Sequence, residues 1–384
     1  MFHYFQGNLS NPDIPVRIPN DDTSFDPKEY PNVVFVANGK LAGKIQVAHS
    51  SDSESDNTSG LISVRVWVMD EKDKNEVTIK PSFNNKTFTL VVETPAHWGV
   101  NTRIYHETLI QYPTTLSSTE SLSVESPLTS FNAGEDLSNL FIKSLKGSFS
   151  NSSVSLKSIY ADRVQLRTQN GNIEGEFRAG HVDLKSSNGP IHAKLILQDA
   201  LDDRQSTVRL NTSNASIDTH ISTINTARGL RLDTNSNNGR LIVGALLAKA
   251  DRASWVNAVT NNGKVECNID ASLSGQPLEV KHETSNGSIV SSIMVPVNEK
   301  FKGFCRSSNA SVEVNLTEAF HGRFEVDTSN ASSAVEGTEL TFEQDKKTTK
   351  YGHRGDGQSE IKVQSSNGRV SLRFYETGKS TSEP

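Results

Sequence analysis

Between residues 160 and 375, apolar and polar positions alternate in short runs, and the runs meet at one recurring polar phrase: Ser or Thr, a polar residue, Asn, then Gly or Ala. The phrase centres on Asn170, Asn188, Asn214, Asn238, Asn262, Asn286, Asn309, Asn330 and Asn367. Counting from each Asn as zero, positions −6 and −4 are usually apolar, as in Val208 with Leu210 and Phe324 with Val326. Position −2 is a small hydroxyl in every copy, from Thr168 to Ser365. Position +3 is aliphatic except at Ser333, and +7 often follows suit, as in Phe177, Ile221 and Leu316. Period-two alternation on both sides of the Asn predicts two strands per copy, each with one buried face. Between them Asn-Gly predicts a turn, since both residues tolerate a positive φ.

Successive Asn positions differ by 18, 26, 24, 24, 24, 23, 21 and 37 residues. Self-similarity at a near-fixed period marks a repeat architecture, in which each unit buries its apolar face against its neighbours. Two all-β folds satisfy the pattern. An array of antiparallel hairpins would pair −2 with +3 across a two-residue turn. A single-stranded parallel β-helix, or β-solenoid, would place the Asn at a corner and stack like positions turn on turn. The β-solenoid also explains why the same residue type recurs at the same position, and why Ala215, Ala310 and Ala331 replace Gly after the Asn. About ten turns at an interstrand spacing of about 4.8 Å would make a rod on the order of 50 Å long.

Four parts follow from the pattern. Residues 1–30, punctuated by Pro12, Pro15, Pro19 and Pro27, read as a flexible arm. Residues 31–135 read as a degenerate β region with mobile loops. Its strands show in Leu61 to Val68 and Thr87 to Val92, and an early copy of the corner shows in Asn38-Gly39. Residues 48–60 and 113–135 are its Ser/Thr-rich loops. The regular array occupies 136–377, interrupted by a loop at 337–359, and 378–384 form a disordered tail.

Composition narrows the function. Hydrophobic content of 34% is low for a globule but suits a narrow solenoid core, and a net charge of −6 leaves no basic footprint for nucleic acid. The longest apolar stretch, Leu241 to Ala248, is too short to span a membrane. The N-terminus lacks the basic and apolar regions of a secretory signal, so the chain as written reads as cytoplasmic, and as a cell-surface protein in a processed or truncated form.

The repeated Thr-Ser-Asn-Gly-x-Ile phrase, with apolar alternation on either side from about Val34 to Phe374, resembles the putative-adhesin β-helix family, bacterial and fungal domains of unknown function. The segment Tyr351 to Phe374 looks like the last turn of its fungal branch. The resemblance implies a β-helix with a surface or structural role, and no catalytic residues.

The remaining candidates each have a plainer reading. The Asn corners could offer rows of amides to sugar hydroxyls or ordered water, but Asn is also a turn residue whose amide bonds its surroundings. Arg354-Gly355-Asp356 matches an integrin-type tripeptide and equally a turn. The ten histidines include no metal spacing, with His192 and His220 facing outward by the alternation. Cys267 at +5 and Cys305 at −4 point inward two copies apart, too far for a disulfide, and read as free buried thiols. Sequons at Asn57, Asn85, Asn151, Asn214, Asn286, Asn309 and Asn330 arise mostly from the repeat, and those at tight corners are poor acceptors. Polysaccharide-cleaving β-helices need paired carboxylates on a common register. Here Glu174 and Glu176 give way to His192 and Lys194, then to Asp218 and His220. The reading is a non-enzymatic structural or adhesion-like module of unknown ligand, without catalytic residue, cofactor or metal, with a protein or a glycan surface as the candidate partners and no nucleic acid. The alternative is a carbohydrate-active enzyme.

Overall fold

The computed structural model describes residues 16–17, 21–49, 58–68, 71–94, 104–133 and 137–376. The arm up to residue 15, the Ser/Asp-rich stretch 50–57 and the tail from 377 lie outside the described residues. Among the described residues the chain is all-β, with thirty strands, one short 3-10 segment (Glu71–Glu76) and a mostly parallel sheet. Among the described residues no helix is long and apolar enough to cross a membrane. The chain divides into two compact units, Met1–Tyr160 and Ala161–Pro384.

In the second unit the segments just before and just after each Asn from Asn188 onward do not pair with one another; even at Asn188, where the flanking strands touch, Ile191–Leu197 pairs with residues 173–179 of the preceding turn and not with 182–186. Leu230–Ser236, ahead of Asn238, pairs in parallel with Ser206–Thr212 and Ser254–Thr260. Leu241–Leu246, after it, pairs in parallel with Ile217–Asn225 and Val265–Asp270. Two parallel stacks therefore share one corner, a solenoid-like arrangement, and the hairpin array is corrected at these corners. Like residues sit on like: Ile173, Ile191, Ile217, Leu241, Val265, Ile289, Val312 and Val370 are successive partners across the second stack. All eight are buried. Each such aliphatic contributes roughly 1.5–3 kcal/mol by leaving water. Between the stacks, positions −6, −4 and −2 of one strand meet +3, +5 and +7 of the other. Around Asn214 these are Val208, Leu210, Thr212, Ile217, Thr219 and Ile221, all buried.

The turns do not stack in chain order at the C-terminal end. Phe301–Ser307 pairs in parallel with Ser359–Ser365, which pairs in parallel with Gly322–Thr328. On the other stack, Val312–Thr317 pairs with Val370–Tyr375, which pairs with Ser333–Glu336. The last copy thus lies between its two predecessors. Residues 337–359, expected as a loop, instead contain Leu340–Asp345 and Thr349–Arg354, an antiparallel pair whose second strand closes against Gly322–Thr328. A parallel stack left open would present a bare edge to other chains, and this cover occupies it.

The first unit repeats the device. Asn32–Asn38 lies between Thr87–Glu93 and Ser118–Ser126, and Leu41–His49 between Ile104–Tyr112 and Leu128–Ala133, all in parallel. Antiparallel strands cover the outer edge: Thr78–Asn84 on Thr87–Glu93, and Gly60–Val68 on Ile104–Tyr112. The covering strand Thr78–Asn84 carries Pro81, which cannot donate to a further strand. Two expectations are corrected here. Ser118–Ser126 and Leu128–Ala133 are core strands inside the stretch 113–135 read as a loop, with Ser118, Ser121, Ser123 and Ser130 in outward positions and Thr119, Ser126 and Thr129 buried. Asp21–Phe25, inside the stretch read as an arm, pairs with Gly60–Val68 and buries Phe25 against Phe88.

Candidate functional site

The second unit's corner is built from the −2 hydroxyl outward. All nine of these side chains are buried. Ser186 shows the arrangement: its Oγ accepts from the amide of Gly189 at 2.9 Å and donates to the carbonyl of Gly171, one turn back, at 3.1 Å. The same two bonds recur at Ser236, Thr260, Thr284, Ser307 and Ser365. One hydroxyl therefore satisfies two backbone groups that would otherwise be buried unpaired. That requirement explains why every copy carries Ser or Thr at this position.

Glycine follows the Asn for a reason other than the one expected. None of Gly171, Gly189, Gly239, Gly263, Gly287 and Gly368 has a positive φ, and neither do the nine Asn. A Cβ on Gly263 would instead overlap the carbonyl oxygen of Gly239 in the preceding turn, and Gly189, Gly239, Gly287 and Gly368 meet the equivalent oxygen. Close stacking of backbones leaves no room for a Cβ at these five glycines, while Ala215, Ala310 and Ala331 occupy the same position in other copies.

The Asn side chains form one unbroken file. Asn188 donates its amide to the Oδ1 of Asn170 at 2.6 Å, Asn214 to Asn188, Asn238 to Asn214, Asn262 to Asn238, Asn286 to Asn262 and Asn309 to Asn286. The file continues out of chain order: Asn367 donates to Asn309 at 2.7 Å, and Asn330 to Asn367 at 2.6 Å. All nine are exposed. Beside them, position −1 is Gln169, Ser187, Ser213, Asn237, Asn261, Ser285, Ser308, Ser366 or Ser329, so the ridge is uncharged along its whole length. The sequon residues Asn214, Asn286, Asn309 and Asn330 spend their amide nitrogens in the file.

Asn38 stands apart. Its carbonyl accepts from the amide and hydroxyl of Thr94, and Gly39 does take a left-handed φ of 87°. The neighbouring corner in the first unit carries Pro127 instead of an Asn, so no amide file runs through it.

The other candidates are placed as follows. Arg354 is buried, its guanidinium bonded to the carbonyls of Glu318, Phe320 and Thr338 and lying over the ring of Phe374. Only Asp356 of that tripeptide is exposed, so it cannot present both charges. Cys267 and Cys305 are free and buried, and burial raises the Cys305 thiol to about 12. Among the described residues no cluster of His, Cys, Asp and Glu could hold a metal.

His192 and His220 face outward. Two other histidines are fully buried. His106 is held by the hydroxyls of Thr108 and Thr129, each at 2.9 Å, and His282 lies 3.9 Å from the Sγ of Cys305. Burial lowers both to about 3, so they are neutral. The signal was in the alternation, since His282 falls at −4 and His106 shares a face with Ile104 and Ile110.

Two shallow grooves lie among the described residues. In the second unit, Gly244 leaves a gap between Lys194, His220, Asn268 and Leu246, about 320 Å³ in volume and mostly apolar. In the first unit, Lys44, His49, Arg65 and Glu107 border a more polar one of about 340 Å³. On the outward strand face Glu266 is pinned by Lys264 and Arg240, which hold its carboxyl below the usual range.

No family model and no curated protein matches this chain. It is similar to solved structures at low identity. One is a putative adhesin from Parabacteroides merdae ATCC 43184, 12% identical over 73% of this chain and 92% of that one, with a TM-score of 0.35. Another is a putative lipid binding protein from Parabacteroides distasonis ATCC 8503, 11% identical over 93% of this chain and 96% of the other, with a TM-score of 0.29. A third is a putative cell adhesion protein from Clostridium sporogenes ATCC 15579, 9% identical over 93% and 99%, with a TM-score of 0.18.

Proposed function

We propose that this chain is a non-enzymatic, single-stranded parallel β-helix serving as a structural or adhesion-like interaction module. The observation that carries the reading is the file of nine Asn amides, each bonded to the next, beside a second file of uncharged side chains. In the second unit successive turns from Asn170 onward are tied by this amide, by −2 hydroxyls and by backbone pairing, which favours a stiff scaffold over a site that opens and closes. Its uncharged ridge suits a protein or glycan surface, since it offers hydrogen bonds without demanding counter-charge.

A carbohydrate-active enzyme is the second reading. It would need a carboxyl held protonated near neutral pH beside an ionised one. Glu266 sits in the opposite environment, with two cations lowering it. The test is binding of the purified protein to a glycan array and to intact cell surfaces, run beside reducing-sugar release on pectin-like polymers. Retained binding that weakens when Asn238 and Asn262 are changed to Asp supports the module. Sugar release abolished by changing a single carboxylate would overturn it.

A further inference from the structure

The polar groove of the first unit is built on the outward face of three adjacent strands. Leu41–His49 runs parallel to Ile104–Tyr112, and Gly60–Val68 runs antiparallel to it on the other side. Strand register fixes which side chains stand together, since directly opposed residues share a face of the sheet. Lys44 is opposite Glu107, and Glu107 is opposite Arg65. One step along, Gln46, Leu109 and Ser63 form the next row, and Ala48 with Gln111 begins the one after. Ala48 and Ser63 are short among long neighbours, and Ser63 is buried at the floor, which leaves a gap of about 340 Å³.

One step the other way, Tyr105 is opposite Trp67, their ring centroids 5.8 Å apart and their planes tilted by 45°. Both are half-buried, and the next residue in that row, Ala42, is exposed and carries only a methyl group. This aromatic row lies about 7 Å from the Lys44–Glu107–Arg65 row, two residues along each strand. Two rings, a charged row and two amides therefore follow one another on one surface.

The charges of the groove are not spent on each other. Glu107 has Lys44 on one side and Arg65 on the other, yet among the described residues neither cation forms an ion pair. Elsewhere cations on outward strand faces are paired, Lys194 with Glu176 and Lys362 with Glu325, each at 2.8 Å. Lys44, Arg65 and Glu107 leave one positive charge in excess, in a chain whose net charge is −6. Asp22, opposite Ser63 on Asp21–Phe25, is not among the residues that line the groove. Arg65 is exposed, so its guanidinium can take a carboxylate in two parallel hydrogen bonds.

We propose that this groove binds an acidic oligosaccharide, a chain of uronic acid units. One sugar packs its C–H face on Trp67 and Tyr105, as the flat apolar face of an aromatic ring allows. The carboxylate of the next sugar pairs with Arg65, while Lys44 offsets Glu107, which accepts from a hydroxyl. Gln46 and Gln111 each offer donors and an acceptor, matching hydroxyls that both donate and accept. A bare anion would leave the rings unused, and a neutral sugar would leave Arg65 without a partner. This site lies in the first unit and shares no residue with the Asn file, so either can fail while the other stands.

Isothermal titration of the whole protein with hexasaccharides of galacturonate and of mannuronate tests it, with cellohexaose, inorganic phosphate and hexaglutamate alongside. Expected is binding of a uronate probe that weakens at high salt, as a charge pair at the surface does. Arg65→Gln should weaken it about tenfold or more, and Trp67→Ala should do the same with Trp67→Phe keeping most of the affinity. Circular dichroism should be unchanged throughout, and Asn238→Asp with Asn262→Asp should bind as the unchanged chain does. Arg65→Gln alone decides the matter if Trp67→Ala does not fold. No binding of either uronate, binding indifferent to Arg65→Gln, or equal binding of cellohexaose, phosphate or hexaglutamate would each overturn it.

Discussion

Asn367 donates its side-chain amide to Asn309 at 2.7 Å across 58 residues of chain, while Asn330, nearer in sequence, is one turn further away. The terminal copy therefore fills a slot between two turns already made, contributing Ile361, Val363, Val370, Leu372 and Phe374 to the core. At roughly 1.5–3 kcal/mol per side chain, an empty slot would melt that end of the stack. Truncation after Glu336 is expected to expose residues 301–336 to limited proteolysis and to lower the melting temperature.

The hydroxyl bridge should be separable from its packing. In Thr260→Val the shape is kept, but the amide of Gly263 and the carbonyl of Gly239 lose their partner. Leaving buried polar groups unsatisfied costs about 1–3 kcal/mol. Urea unfolding is expected to show that loss, with Thr260→Ser close to the unchanged protein.

Ionisation of the buried histidines sets an acid limit. His106 and His282 titrate near 3 when folded against an ordinary 6.5. The unfolded chain takes up these protons as the pH falls below 6.5 and the folded one does not. Stability is therefore full above that pH and is lost progressively from about 6.5 towards 3. At pH 5 the loss is about 2 kcal/mol per histidine. His282→Phe is expected to flatten part of this dependence in denaturant titrations between pH 5 and 8, and an unchanged slope would count against it.

Asn-Gly bonds deamidate when the Gly nitrogen attacks the Asn side-chain carbonyl. At Asn188 that carbonyl accepts from Asn214 and the Gly189 amide is held by Ser186. Mass spectrometry after alkaline incubation is expected to find Asn188, Asn238, Asn262 and Asn286 far slower to deamidate in the folded protein than in urea. Asn214→Ala, which frees the Asn188 carbonyl, should speed deamidation at Asn188.

The sequence by itself determined the unit: two alternating strands, a buried hydroxyl at −2, an aliphatic at +3 and an Asn at the bend. These are local requirements repeated at a fixed interval, and a short period leaves its mark on composition at every copy. It also placed Cys267 and Cys305 on the inward face, whereas the histidines read as surface residues and His282 is buried. Only the tertiary structure decided the order of stacking. Because every turn presents the same edge, nothing local tells the copy at Asn367 to settle between Asn309 and Asn330, and the covering pair at 340–354 imposes it by closing the outer edge. Strands 118–126 and 128–133 were hidden for a related reason, since serine fits the outward face of a strand as well as a loop. The purpose of the glycines likewise came from the stack: an Asn-Gly pair reads as a positive-φ turn until the preceding turn's carbonyl is seen where a Cβ would lie.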